Sequence, residues 1–183
     1  MIPYLVDTNV LLRRARPSDP HYPAARNAID TLVHQGEALC ISSQNVIECW
    51  NVFTRPAGAN GFGLSPAQAD QEVTQLESLF RFLHDTPDVY VHWRKLVVSA
   101  GVSGVKVHDA RLVAVMLTHG ISHLLTFNAG DFKRFPSITA DAGKIFGLLI
   151  TQWSGLNPAP AITYQEWGRK LGWKILSGPF LFR

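Results

Sequence analysis

Apolar positions along the chain fall into short runs that alternate with longer stretches of helical spacing. IPYLV, residues 2–6, reads as a short buried strand, with Pro3 tolerated near its start. It ends in an acid, Asp7, and DTNVLLRR then opens a helix with Asp7, Thr8 or Asn9 as its cap. After the loop RPSDPHYP, Ala25, Ile29, Leu32 and Val33 recur at helical spacing up to Gly36. EALCISS predicts a second strand, and Ser42 or Ser43 caps the helix QNVIECWNVFTR. On that helix Val46, Trp50 and Phe53 share an apolar face, while Asn45, Glu48 and Asn51 form a polar stripe away from it. PAGANGFGLSP predicts a Gly-rich, mobile loop.

SPAQADQEVTQLESLFRFLHD then reads as a helix capped by Ser65, with Pro66 in its first turn. Its inward positions are Ala69, Val73, Leu76, Leu79, Phe80 and Leu83. DVYVHW predicts a third strand, and RKLVVSAGV a helix stopped by Gly101. KVHDARLVAVMLTHGI is a helix starting near Asp109, with Leu112, Val113, Met116 and Leu117 on its core face and Gly120 at its end. HLLTF is a fourth strand, NAGDFKRFP a loop and SITAD a short fifth strand.

Strands alternating with helices, without hairpin signals, predict an α/β fold with a mainly parallel sheet of four to five strands. The pattern weakens beyond about residue 145, so the expectation is one domain over residues 1–145 and a C-terminal extension over 146–183, which carries Trp153, Trp167 and Trp173. A hydrophobic fraction of 46% and a charged fraction of 17% are those of a globular protein. No apolar run approaches the roughly 20 residues needed to span a bilayer. The N-terminus lacks the leading positive charges of a secretion signal. Cys40 and Cys49 are too few for a disulfide framework and fit small core positions. The expected location is the cytoplasm, away from membranes.

Placed on this architecture, the acids change the picture. Asp7 ends the first strand, Glu48 lies on the helix leaving the second, and Asp131, with Asn128 nearby, follows the fourth. Loops at the carboxyl ends of parallel strands share one rim. Asp109 joins them if its helix runs antiparallel to the strands, as a crossover requires. Converging acids without basic partners repel one another unless a cation sits among them. Oxygen ligands point to Mg²⁺ or Mn²⁺, and no His/Cys pair has zinc spacing. Gathering acids in one place leaves the remaining surface more basic than the net charge of +3 suggests. Arg13, Arg14, Arg16, Arg94, Lys95, Lys106, Arg111, Lys133 and Arg134 are the residues that could face a polyanion. Each acid also has an ordinary reading: Asp7 as a cap, Glu48 as a solvated side chain, Asp109 as a first-turn residue, Asp131 as a turn former. His108 beside Asp109 reads as a surface or capping histidine, with general-base catalysis as the alternative.

Taken in order, YLVDTNVLL, the acid in SSQNVIECWNVFTRP and VHDARLVAVMLTHGISHLLTFNAGDF resemble the PIN domain, in particular the VapC-type toxin ribonucleases, over about residues 2–140. The resemblance implies a twisted parallel sheet with helices on both faces and a metal-dependent site of Asp7, Glu48, Asp109 and Asp131, supported by Thr8 and Asn128. Either Asp131 approaches the metal, or Asn128 orients water and Asp131 is peripheral. The implied activity is hydrolysis of RNA phosphodiester bonds with Mg²⁺ or Mn²⁺, with Arg13, Arg14, Arg111 and Lys133 as candidates to hold the RNA. The implied partners are an antitoxin protein and a second copy of the chain in a homodimer. The alternative within the family is a non-catalytic RNA-binding PIN domain. An aspartyl-phosphate enzyme fits poorly: position 9 is Asn where a second acid is needed, and residues 2–6 hold no acidic pair.

Overall fold

The computed structural model describes residues 1–141; the extension expected from residue 146, with its three tryptophans, lies outside the described residues. Five strands form one sheet: β1 (Pro3–Val6), β2 (Ala38–Ser42), β3 (Arg81–Leu83), β4 (His123–Leu125) and β5 (Thr139–Asp141). Their order is β3-β2-β1-β4-β5, and every pairing is parallel. The chain works outward from β1 in one direction and then returns to its other side, so the order reverses between β1 and β4.

Seven helices connect the strands: α1 (Thr8–Arg14), α2 (Tyr22–His34), α3 (Ser43–Thr54), α4 (Pro66–Leu79), α5 (Pro87–Ser99), α6 (Val107–Thr118) and α7 (Ala129–Phe132). Alternation along the strands divides the core in two. Tyr4, Val6, Leu39, Ile41 and Leu125 pack on one face with residues of α1, α2, α3 and α4. Leu5, Cys40 and Leu124 pack on the other with α5 and α6. Both faces are covered, which explains why the strands read as continuous apolar runs. Cys40 and Cys49 are buried free thiols, and burial raises the pKa of each. Among the described residues no helix is long and apolar enough to cross a membrane.

Three local expectations are corrected. The helix expected to run through residue 85 ends at Leu79, where Phe80 turns extended (φ −120°, ψ 145°) and β3 begins. Leu83 therefore joins the opposite core face from Leu76. DVYVHW is not a strand but the start of α5, entered from an extended Thr86 with Pro87 in the first turn. Val89, Trp93, Leu96, Val97 and Ala100 recur on its inner side at helical spacing. On α3 the most buried line is Asn45, Cys49 and Phe53, while Val46 and Trp50 are only partly buried.

The Gly-rich segment after Arg55 folds back on α3. The amides of Phe62, Gly63 and Leu64 donate to the carbonyls of Val52, Arg55 and Phe53 at 2.9, 2.8 and 2.8 Å, satisfying the end of that helix. Gly61 has no room for a side chain, because a Cβ there would lie 2.1 Å from the Arg55 carbonyl oxygen.

Candidate active site

Asp7 stands where the strand order reverses. Its amide donates to the carbonyl of Leu125 at 2.9 Å, fastening the end of β1 to the end of β4. Its carboxylate Oδ2 accepts from Thr126 Oγ1 and from Asn9 Nδ2, both at 2.6 Å. Asn9 also donates to Thr126 Oγ1 at 3.1 Å and accepts from the Phe127 amide at 3.1 Å. One asparagine thus clamps the Asp7 side chain to the loop after β4. Asp7 is 8% exposed. Its pKa is pushed up to about 6, first by burial and then by the charges of Glu48 and Asp109, against the lowering effect of its hydrogen bonds.

Glu48 is held on both oxygens. Thr8 Oγ1 donates to its Oε2 at 2.5 Å, and Gln44 Nε2 donates to its Oε1 at 2.8 Å. Behind Thr8, the fully buried Asn45 donates to the Thr8 hydroxyl at 3.1 Å. Asn45 Oδ1 accepts from the Ser42 amide at 2.9 Å and from the Ser42 hydroxyl at 2.8 Å, which secures the start of α3. Gln44 also donates to the His108 carbonyl at 3.1 Å, bringing the first turn of α6 to the carboxyl edge of the sheet. Asp109 occupies that turn, as a crossover helix requires. The His108 side chain is exposed.

Asp109 has its pKa raised by burial, with further contributions from the charges of Asp131 and Glu48 and opposition from Lys106. Its Oδ2 is buried and accepts no hydrogen bond. The Lys106 ammonium lies 3.4 Å from that oxygen and 2.7 Å from Asp131 Oδ2. The electrostatic neighbours therefore run in a series. Asp7 feels Glu48 and Asp109, whereas Asp131 acts on Asp109 from the outer side, across Lys106. Asn128 is exposed; its amide donates to Thr126 Oγ1 at 3.0 Å, and its side chain caps nothing.

The donor set is oxygen only, the charges of Glu48 and Asp109 raise the pKa of Asp7, those of Asp131 and Glu48 raise that of Asp109, and one buried carboxylate oxygen lacks a hydrogen bond. That chemistry fits a hard divalent cation. Among the described residues, however, no three acids, histidines or cysteines are arranged around a common point as they stand. Glu48 is turned to Thr8 and Gln44, and Asp131 to Lys106. The side chains must reorient to share an ion.

The basic candidates are mostly engaged. Arg13 donates to the Asn9 carbonyl at 2.8 Å, with its guanidinium 4.6 Å from the Phe127 ring centroid. Arg14 lies 6.0 Å from the Tyr22 ring centroid. Arg111 meets both oxygens of Asp85 at 2.9 Å and donates to Gln44 Oε1 at 3.2 Å. Lys133 and Arg134 are exposed. Beside Arg111 an open cleft of about 360 Å³ is lined by Asp85, Thr86, Val89, Tyr90 and Trp93.

The family model for the PIN domain matches residues 4–138. The chain belongs to the PIN domain family. No curated protein matches it by sequence. Among solved structures, this PIN domain is similar to VapBC2 of Rickettsia felis, crystallised with a DNA fragment from its promoter. The TM-score is 0.58 at 16% identity, covering 76% of this chain and 98% of that one. It is similar to VapBC-1 of nontypeable Haemophilus influenzae, with a TM-score of 0.56 at 19% identity over 76% and 97% of the two chains. It is also similar to a toxin–antitoxin complex from Klebsiella pneumoniae, with a TM-score of 0.52 at 20% identity over 74% and 95%. At these identities the likeness is one of fold.

Sequence reasoning missed Asn9, Gln44, Asn45 and Thr126 as parts of the site. Gln44 was legible, since it precedes Glu48 by one helical turn. Thr126 was not, because only the pairing of β1 with β4 sets it against Asp7.

Proposed function

We propose that this PIN domain is a divalent-metal-dependent endoribonuclease and the toxin of a toxin–antitoxin pair. The observation that carries the reading is the placement of Asp7, Glu48 and Asp109 at the sheet's switch point, near enough that Glu48 and Asp109 raise the pKa of a buried Asp7. A group of acids that destabilises itself has use for a cation. Asp7 and Asp109 would hold Mg²⁺ or Mn²⁺, with Glu48 and Asp131 as further ligands. Bound there, the ion would supply charge neutralisation and Lewis acidity at the scissile phosphate.

The chain's own groups do the rest. Thr8 and Gln44 hold Glu48 at the rim, and its carboxylate would take the proton of the attacking water once it turns into the site. Asn9 and Thr126 fix Asp7 and prevent it from turning away. Single-stranded RNA would lie across the rim, its backbone near Lys133 and a base against Tyr90 in the cleft beside Arg111. The toxin assignment is supported by the VapBC and toxin–antitoxin complexes among the structural neighbours. It brings with it an antitoxin partner and a homodimer.

The test is RNA cleavage with Mg²⁺ or Mn²⁺ and with chelator, for the wild type, Asp7→Asn and Asp109→Asn. Cleavage by the wild type alone, lost on chelation, is expected. RNA retained but uncut under every condition would instead identify a binding module.

A further inference from the structure

The carboxylate series contains a cation supplied by the chain itself. Lys106 closes the one-turn segment Gly104–Lys106 immediately before α6. Its ammonium reaches back over the helix start, 3.4 Å from Asp109 Oδ2 and 2.7 Å from Asp131 Oδ2. The ammonium pairs with Asp109 Oδ2 more loosely than with Asp131 Oδ2. A lysine ammonium is a compact point charge on a flexible stem, and one end of this stem is solvent-exposed. Gly104, at φ +59°, opens this segment in a conformation that side chains resist.

We infer that Lys106 is a built-in competitor for the divalent ion: its ammonium stands between Asp109 and Asp131 and must swing out before these acids can bind metal. Lys106 is then a positioning residue that sets metal affinity. The same ion pair turns Asp131 to the ammonium rather than toward the other acids. An ammonium and a divalent ion so close together would repel strongly, so the two states exclude each other. The inference rests on the metal-dependent reading above and concerns binding rather than turnover.

The experiment is calorimetric titration of Mn²⁺ into the RNA-free full chain, comparing wild type, Lys106→Gln and Lys106→Arg. Lys106→Gln is expected to bind Mn²⁺ on the order of tenfold more tightly, because two ion pairs no longer have to be broken. Lys106→Arg keeps the charge and is expected to stay near wild type or weaker. Mn²⁺ should also raise the melting temperature of Lys106→Gln more than that of the wild type, which separates the effect from any change in folding. If the wild type binds Mn²⁺ and cuts RNA while Lys106→Gln binds no more tightly, the inference falls and the nuclease reading stands. If neither chain takes up Mn²⁺, both fall. If Lys106→Gln binds the ion more tightly than the wild type but neither chain cuts RNA, the competition is upheld and the nuclease reading is not.

Discussion

At the residue scale the site is defined by how few atoms hold each acid and how much charge surrounds it. Asp7 is the extreme case, with its folded-state pKa near 6 against an ordinary 3.8. A raised carboxylate pKa means that the folded state holds the proton more tightly than the unfolded chain. The stability contributed by Asp7 is therefore fully present below about pH 4 and is lost as pH rises through about 6. Asp7→Asn removes this cost and keeps an oxygen for Thr126 and Asn9. In chelator at pH 7 it should gain up to about 3 kcal/mol, raising the melting temperature by roughly 5–10 °C. A variant that melts at or below wild type would contradict the electrostatic picture. The same variant should abolish RNA cleavage. Gln44→Ala leaves one Glu48 oxygen unsupported, and cleavage should fall about 10–100-fold with the fold intact, as loss of a ligand-orienting partner does. Unchanged cleavage would show that Thr8 alone positions Glu48.

At the scale of elements, the start of α3 ties the site to the fold. Asn45 joins Ser42, at the end of β2, to Thr8, at the start of α1, entirely out of solvent. Asn45→Leu would deprive the buried Ser42 amide and hydroxyl of their acceptor and the Thr8 hydroxyl of a donor, costing about 2–4 kcal/mol, readable as a shifted midpoint in urea. The other end of α3 is closed by the returning chain, so Gly61→Ala should destabilise by about 1–3 kcal/mol through contact with the Arg55 carbonyl. Sequence periodicity found β1, β2, β4 and β5 and helices α1 to α4 and α6, because long amphipathic runs and capping residues act locally. It missed β3 because three residues, RFL, continue the helical spacing of the preceding segment, and only pairing with β2 makes them a strand. It missed the start of α5 because Tyr, Val and Trp favour strands, although Thr86 and Pro87 form a helix-start signal. The polar stripe on α3 singled out Glu48, which the structure leaves half-buried beside Thr8. It misassigned Asn45, whose burial depends on partners contributed by β2 and α1.

At the scale of the whole molecule, much of the positive charge near the rim is already committed: Arg111 to Asp85, Arg13 to Phe127 and Asn9, Lys106 to Asp109 and Asp131. A polyanion crossing the loop after β4 would therefore meet Lys133 and Arg134; among the described residues Arg94 and Lys95 on α5 are exposed as well. Single-stranded RNA binding should show a shallow salt dependence, with a log–log slope of about −1.5 to −2 for two or three phosphates. Filter-binding affinities measured over a salt series test this, and a slope several times steeper would require a basic surface elsewhere.

The sequence by itself determined the alternation of strands and helices, the two-faced core and the identity of the acids at strand ends. Each of these depends on neighbours within a few positions, and short-range periodicity records them. Only the tertiary structure decided which partners those acids have. That Thr126 fastens Asp7, that Thr8 joins Gln44 on Glu48, and that Lys106 bridges Asp109 to Asp131 depend on groups brought together from distant parts of the chain. Charge and hydrogen bonding act through space over a few ångströms, a distance that spacing along the polypeptide does not encode.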